Sequence, residues 1–216
     1  MNVLDRGFVE LIDHLGNDNT IVSAARVSYL GKSKGQEKDK ELIEYLMVNK
    51  HTSPFEQVEF QFLVKCPIFV ARQWMRHRTW SYNEVSRRYT SDDIDYYLPE
   101  ELYYQSESNK QASSTPLPKE LSKRLINGIK VQSEGALRAY ELLLNNGISR
   151  EHARMVLPLN LYTSFYAKTD LHNLFHFLEL RRSSHAQKEI RLYAMAIEKL
   201  IEPIVPVSFN LWKENL

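Results

Sequence analysis

The chain has 216 residues, 43% hydrophobic and 11% aromatic, which is enough apolar material for one core and argues for a single domain over residues 1–216. Its formal net charge of +1 gives it no global attraction for nucleic acid or membrane, so affinity for an anion has to come from local clustering. No run of 18 apolar residues is present to span a bilayer, the opening residues lack the pattern of a secretory signal, and the single cysteine, Cys66, excludes an intrachain disulfide; a cytoplasmic, reducing location is expected.

In chain order, residues 19–28 read as a first helix, with Asn17 or Asn19 as its cap. Residues 38–49 read as a second, from the spacing of Leu42, Ile43, Tyr45 and Leu46. Residues 55–65 alternate apolar and polar, strictly so from Val58, which is the period of a half-buried strand. Pro67 suits the first turn of a helix running through Trp74, and a polar stretch from Arg76 to Tyr89 follows. Residues 105–118, rich in Ser, Gln, Lys and Pro, read as a mobile surface loop. The longest helix is expected over residues 118–146, with Leu121, Leu125, Ile129, Ala136, Tyr140 and Leu143 or Leu144 on its apolar side and Asn146-Gly147 as its stop. Residues 150–156 make a short helix ended by Pro158, and residues 162–168 a second strand. Helices over 170–180, capped by Asp170, and 185–201 close the series. Many helices and few strands, without a repeating β-α pattern, give an α+β fold: an antiparallel sheet covered by helices.

The densest chemistry lies between Arg72 and Tyr89, where five arginines and His77 fall within 18 residues with Glu84 as the sole acid. Arginine presents a permanently charged planar fork that matches phosphate and carboxylate. Gln73, Ser81, Asn83 and Ser86 can hydrogen-bond a sugar or base edge, and Trp74, Trp80, Tyr82 and Tyr89 can stack on a ring. A solvated arginine face and a single-strand nucleic-acid patch are competing readings of the same composition. Near-neutral net charge and evenly spread acids weigh against the nucleic-acid reading.

The string Arg76-His77-Arg78, seven residues, then Ser86, resembles the signature of the flavin-dependent thymidylate synthases, as do Ser81, Asn83, Glu84, Arg88 and Tyr89 at their spacing. The resemblance covers nearly the whole chain. It takes in Ala25-Arg26-Val27-Ser28, His51-Thr52-Ser53-Pro54-Phe55-Glu56, the block Arg154 to Thr163, Leu180-Arg181, His185-Ala186-Gln187 and Glu189-Ile190-Arg191.

The resemblance implies reductive methylation of dUMP to dTMP, with 5,10-methylenetetrahydrofolate as one-carbon donor and NADPH as reductant through FAD. It implies dUMP contacts at Gln73, Trp74, Met75, Arg76, Glu84, Val85, Ser86, Arg87, Arg88, Arg154 and Arg181. Of these, Arg88 and Arg154 take the phosphate, and Arg181 is the catalytic cation beside the uracil imide. It implies FAD contacts at Ser28, Ser53, Arg76, His77, Arg78, Glu84, Asp170, Leu171, His172 and His176, with His51 and Tyr89 near flavin or folate. Some members carry Asn-x-Arg where this chain has Asp170-Leu171-His172, and Asn where it has His176, so an arginine contact to flavin is missing here. The resemblance further implies a homotetramer with sites shared between subunits.

Read as residues alone, His51 before a Pro turn fits a structural role as well as a catalytic one. Cys66, ending a strand beside Pro67 and Ile68, is expected to be a buried small hydrophobe rather than a nucleophile. Ser86 lacks a Ser-His-Asp base and is expected to contact ligand. His172 and His176, four apart, belong to no completed metal-ligand pattern, and no metal is expected. A flavoprotein oxidoreductase with another acceptor and a catalytically dead relative complete the alternatives; intact Arg76, Ser86, Arg88, Arg154 and Arg181 argue against the latter.

Overall fold

The computed structural model describes residues 1–92, 94–107, 109 and 112–215. In chain order its elements are β1 (Asn2–Val3), β2 (Gly7–Leu15), α1 (Asp18–Arg26), α2 (Gln36–Val48), β3 (Glu59–Pro67), α3 (Ile68–Trp74), β4 (Ser81–Glu84), β5 (Tyr103–Gln105), β6 (Ser113–Pro116), α4 (Lys119–Asn145), α5 (Arg150–Ala153), β7 (Tyr162–Asp170), α6 (Leu171–Arg182), α7 (Lys188–Ile201) and α8 (Pro206–Glu214). The main sheet has the order β1-β2-β3-β7-β4, antiparallel throughout, and β5 and β6 form a separate hairpin. This is the expected α+β arrangement.

The central strand β3 explains the sheet. Its period-two pattern sends Phe60, Phe62, Val64 and Cys66 into the core, each fully buried, while Gln61, Leu63 and Lys65 stay half-exposed. It pairs with β7 from Glu59↔Asp170 to Pro67↔Tyr162, and β7 adds Phe165 and Ala167 to the buried face. Helices α3, α6 and α7 cover that face with Trp74, Phe177, Tyr193 and Ile197. Cys66 is buried as expected, and burial pushes its thiol well above the usual range, with Glu84 adding to the effect. An unionised buried thiol is no nucleophile.

Local signals set the element ends. Asn17 caps α1, its side chain accepting from the Asn19 amide (2.9 Å) while its own amide donates to Thr20 Oγ1 (3.1 Å). Asp170 caps α6 through the Asn173 amide (2.9 Å). At Gly7 the phenol of Tyr193 crosses to the Lys65 carbonyl (2.7 Å), and a Cβ there would lie 2.0 Å from that hydroxyl, so only glycine fits.

Several expectations need correction. Residues 55–57 are a 3₁₀ turn, so the strand begins at Glu59. The segment read as a loop over 105–118 carries the β5–β6 hairpin; Ser108, Lys110 and Gln111 within it lie outside the described residues. Strands β2 and β4 fall where no strand was expected. The outer half of β2 is exposed on both faces, and β4 is a polar edge strand, so neither alternates over its length. Helix α7 starts at Lys188 rather than 185, and α8 was not foreseen. Helix α4 docks through Ser122, whose hydroxyl accepts from the Leu102 amide (2.9 Å), and Ser133, which accepts from Asn160 Nδ2 (3.0 Å); of its expected apolar side only Tyr140 is buried.

Candidate active site

Helix α3 ends at Trp74, and the chain turns through Arg76-His77-Arg78 into β4. Tyr82 stabilises this turn: its hydroxyl lies 3.1 Å from the Trp74 carbonyl and 3.0 Å from that of His77, a shared donation to both. The indole of Trp74 goes inward, packed on Phe177 at 4.9 Å and on Trp80, Phe165 and Tyr193. The expectation that Trp74 and Trp80 stack on a ligand is therefore corrected. Both rings are core, because the segment needs apolar anchors to hold its arginines outward. Met75 also leans on the core, while Arg76 and Arg78 are exposed.

The turn meets the last turn of α6. Arg181 Nε donates to His77 Nε2 at 3.0 Å and Nη2 donates to the Gln73 carbonyl at 3.0 Å. Among the described residues Nη1 has no protein partner, and no carboxylate lies within ion-pair distance of the guanidinium. Burial and then Arg76 draw its pKa down from the usual value, yet an arginine remains charged. His77 is buried, and burial, Arg181 and His176 hold its pKa down at about 4. It is therefore neutral at neutral pH, with the Nε2 lone pair facing Arg181 and its proton on Nδ1. The result is a preorganised cation that, among the described residues, has no carboxylate partner and one amino group without a hydrogen bond.

A second group surrounds a cavity of about 330 Å³ beside β4 and β7. Glu84, Val85, Ser86, Arg87 and Arg154 line it, all expected nucleotide contacts. Glu84 accepts from Thr163 Oγ1 at 2.6 Å, and Ser86 Oγ accepts from the Arg88 amide at 3.3 Å. Among the described residues no imidazole reaches the Ser86 hydroxyl, in keeping with a contact rather than a nucleophile. Arg88 points to α5, with Nη2 3.5 Å from Glu151. Gln73, Arg76 and Arg181 do not line this cavity, so one chain divides the expected dUMP residues into two groups.

A third group forms a cavity of about 280 Å³ between α2, the 52–57 turn, α6 and α8. His51, His172 and His176 come together there with Lys50 and Glu179, over a wall of Phe55, Phe175 and Trp212. Phe175 and Trp212 stack in parallel, 5.0 Å apart. An aromatic wall under imidazoles and an ammonium fits a ring-bearing, phosphorylated group such as FAD. His176 also touches His77 edge-on at 6.1 Å, joining this cavity to the Arg181 turn.

Two expected flavin contacts are taken up by the fold. The Asp170 carboxylate caps α6 and also accepts from Asn173 Nδ2 (2.7 Å). The Leu171 side chain is fully buried and its amide donates to the Val58 carbonyl (2.8 Å), leaving neither for a cofactor. Ser28, Ser53 and Tyr89 are exposed and line neither cavity.

The model of the family described as thymidylate synthase complementing protein matches residues 10–207. This chain belongs to that family. The flavin-dependent thymidylate synthase of Thermus thermophilus is 53% identical over 214 residues, covering 99% of this chain and 78% of that protein. That of Treponema denticola is 48% identical over 219 residues, covering 99% and 82%. Among solved structures, a UMP/dUMP methylase, PolB from Streptomyces cacaoi, bound with 5-Br dUMP, superposes with a TM-score of 0.87 at 32% identity, covering 99% of this chain and 97% of that one.

Within this family fold, three side chains take structural roles that the sequence did not assign to them. Tyr82 pins the arginine turn, Thr163 fixes Glu84, and Gln187 accepts from Gln73 Nε2 at 2.5 Å. The inward register of residues 162–168 was a signal for Thr163. Nothing in the local pattern points to Gln187, whose partner lies 114 positions away.

Proposed function

We propose that this chain is a flavin-dependent thymidylate synthase, converting dUMP to dTMP with 5,10-methylenetetrahydrofolate as carbon donor and NADPH as reductant, and releasing tetrahydrofolate. Bound FAD supplies the hydride-transfer chemistry. The observation that carries the reading is the Arg181 guanidinium, held by neutral His77 and the Gln73 carbonyl and, among the described residues, with no counterion and one amino group unpartnered. Carbon 5 of uracil is a weak nucleophile. A fixed cation beside the imide favours negative charge on the ring and so raises electron density at that carbon. Arg181 cannot act as a base, so its role is electrostatic.

Arg88 and Arg154 bind the nucleotide phosphate; Gln73, Glu84, Val85, Ser86 and Arg87 orient sugar and base, with Met75 and Arg76 alongside. His77 acts by orienting Arg181. Arg76, Arg78, Ser28, Ser53, His172 and His176 hold FAD, with His51 and Tyr89 beside flavin or folate. The division of dUMP residues into two groups supports a homotetramer in which subunits complete one another's sites. A cytoplasmic location belongs to the same proposal. It is supported by a single buried thiol, and no helix among the described residues is long and apolar enough to cross a membrane.

The test is Arg181→Ala, read as tritium release from labelled dUMP. Losing one such donor costs about 3 kcal/mol, or roughly two to three decades in rate. Normal turnover at saturating dUMP, in a variant with an unchanged circular dichroism spectrum, would reject the assignment.

A further inference from the structure

The largest of the described cavities, about 670 Å³, belongs to none of the three groups above. It opens between the β5–β6 hairpin and the connection from α6 to α7, and its wall is polar, with Ser113, Ser184, His185 and Arg191 around it. Its two acids are already engaged. Glu101 accepts from Lys188 Nζ at 3.0 Å, and Glu189 accepts from the Tyr97 hydroxyl at 3.2 Å. Among the described residues the guanidinium of Arg191, the imidazole of His185 and the hydroxyls of Ser113 and Ser184 have no hydrogen-bond partner. A planar fork of donors beside free hydroxyls is the chemistry that binds a phosphomonoester on a sugar.

The cavity also adjoins the reactive region. Gln187 lines it and accepts from Gln73, whose carbonyl holds Arg181. Pteridine and benzoyl rings need apolar walls. Among the described residues Tyr103 is the only benzenoid ring here, whereas the cavity at His51 has Phe55, Phe175 and Trp212. The volume of about 670 Å³ has room for a nucleotide unit. We propose that this cavity binds the adenosine 2′-phosphate end of the NADPH reductant, with Arg191 clamping the phosphate. The proposal rests on the synthase reading above, because that activity requires such a reductant.

The experiment is calorimetric titration of the FAD-loaded protein with NADP⁺, NAD⁺ and dUMP; the oxidised dinucleotides report binding without turnover. Wild type should prefer NADP⁺ to NAD⁺. Arg191→Gln should weaken NADP⁺ about tenfold to a hundredfold, the worth of one charge-assisted contact, while NAD⁺ and dUMP affinities hold. Among the described residues the Arg191 guanidinium has no protein partner, so this variant should fold normally. A Ser113→Ala/Ser184→Ala double variant should shift NADP⁺ in the same direction by less. An unchanged NADP⁺ to NAD⁺ ratio in both variants overturns the proposal, as does a loss confined to dUMP. A wild-type protein that binds neither FAD nor dUMP overturns the synthase reading itself, and this proposal with it.

Discussion

His77 sits against Arg181 and His176, and its neutrality carries a pH signature. In the unfolded chain its pKa is near 6.5; in the fold it is about 4. Between those values the unfolded state binds more protons, so stability rises with pH across that window and is lost as pH falls through it. The full effect is about 3 kcal/mol at roughly 1.36 kcal/mol per unit. Urea midpoints measured from pH 7 down to pH 4 should fall more steeply for wild type than for His77→Gln, which keeps an acceptor for Arg181 and does not titrate. Parallel curves would mean that His77 is not the titrating group. Arg88 offers a second test. Its contact with Glu151 is solvent-exposed on both sides, and such a pair is worth about 0–1 kcal/mol, so an incoming phosphate can displace it. Arg88→Ala should weaken dUMP about tenfold or more, the scale of one charged hydrogen bond, with flavin retained. Equal loss of both ligands in equilibrium titrations would refute the sorting of residues between them.

At the scale of elements, legibility followed periodicity. Strand β3 was readable because Phe60, Phe62 and Val64 recur at every second position, β7 was expected over 162–168, and α6 was readable from the Asp170 cap. Helix α8 was not, because a distant residue sets its start. Asp18, in the first turn of α1, accepts from the amides of Val207 (2.9 Å) and Ser208 (3.0 Å) and from the Ser208 hydroxyl (2.6 Å). One carboxylate thus caps a helix about 190 positions away, next to a Pro206 that has no amide to satisfy. Ser208 is fully buried, so losing Asp18 leaves its donors orphaned. Asp18→Ala should lower unfolding free energy by about 2 kcal/mol, seen as a lower urea midpoint at unchanged slope. An unchanged midpoint would show that α8 docks through its apolar face, by Phe209 and Trp212, without help from the cap. The candidate site was legible in the same uneven way. Its arginine motif is a local string, but that Trp74 and Leu171 serve the core and Gln187 reaches Gln73 are facts of tertiary packing, and no window of sequence contains them.

At the scale of the whole molecule, the apolar surface that the chain leaves uncovered bears on assembly. Helix α4 runs 27 residues yet buries only Ser122, Ser133 and Tyr140. Leu125 is 43% exposed, and Val131 and Leu142, three turns apart on one face, are 51% and 63% exposed. A helix with this much uncovered apolar surface gains little from its own chain and would gain more by packing on another, since burial is worth about 25 cal/mol per Å². The separation of Arg181 from the Arg154 cavity points the same way, because a site assembled from two subunits needs no single chain to gather every contact. Light scattering on the purified protein should give the mass of four 25.4 kDa chains. Val131→Glu/Leu142→Glu should shift that mass toward smaller species. Because the proposed site is shared, the same variant should lose dUMP binding while a single chain keeps its helical content. A wild-type protein that is monomeric and fully active would refute the shared site. A double variant that stays tetrameric would move the interface to another face of the molecule.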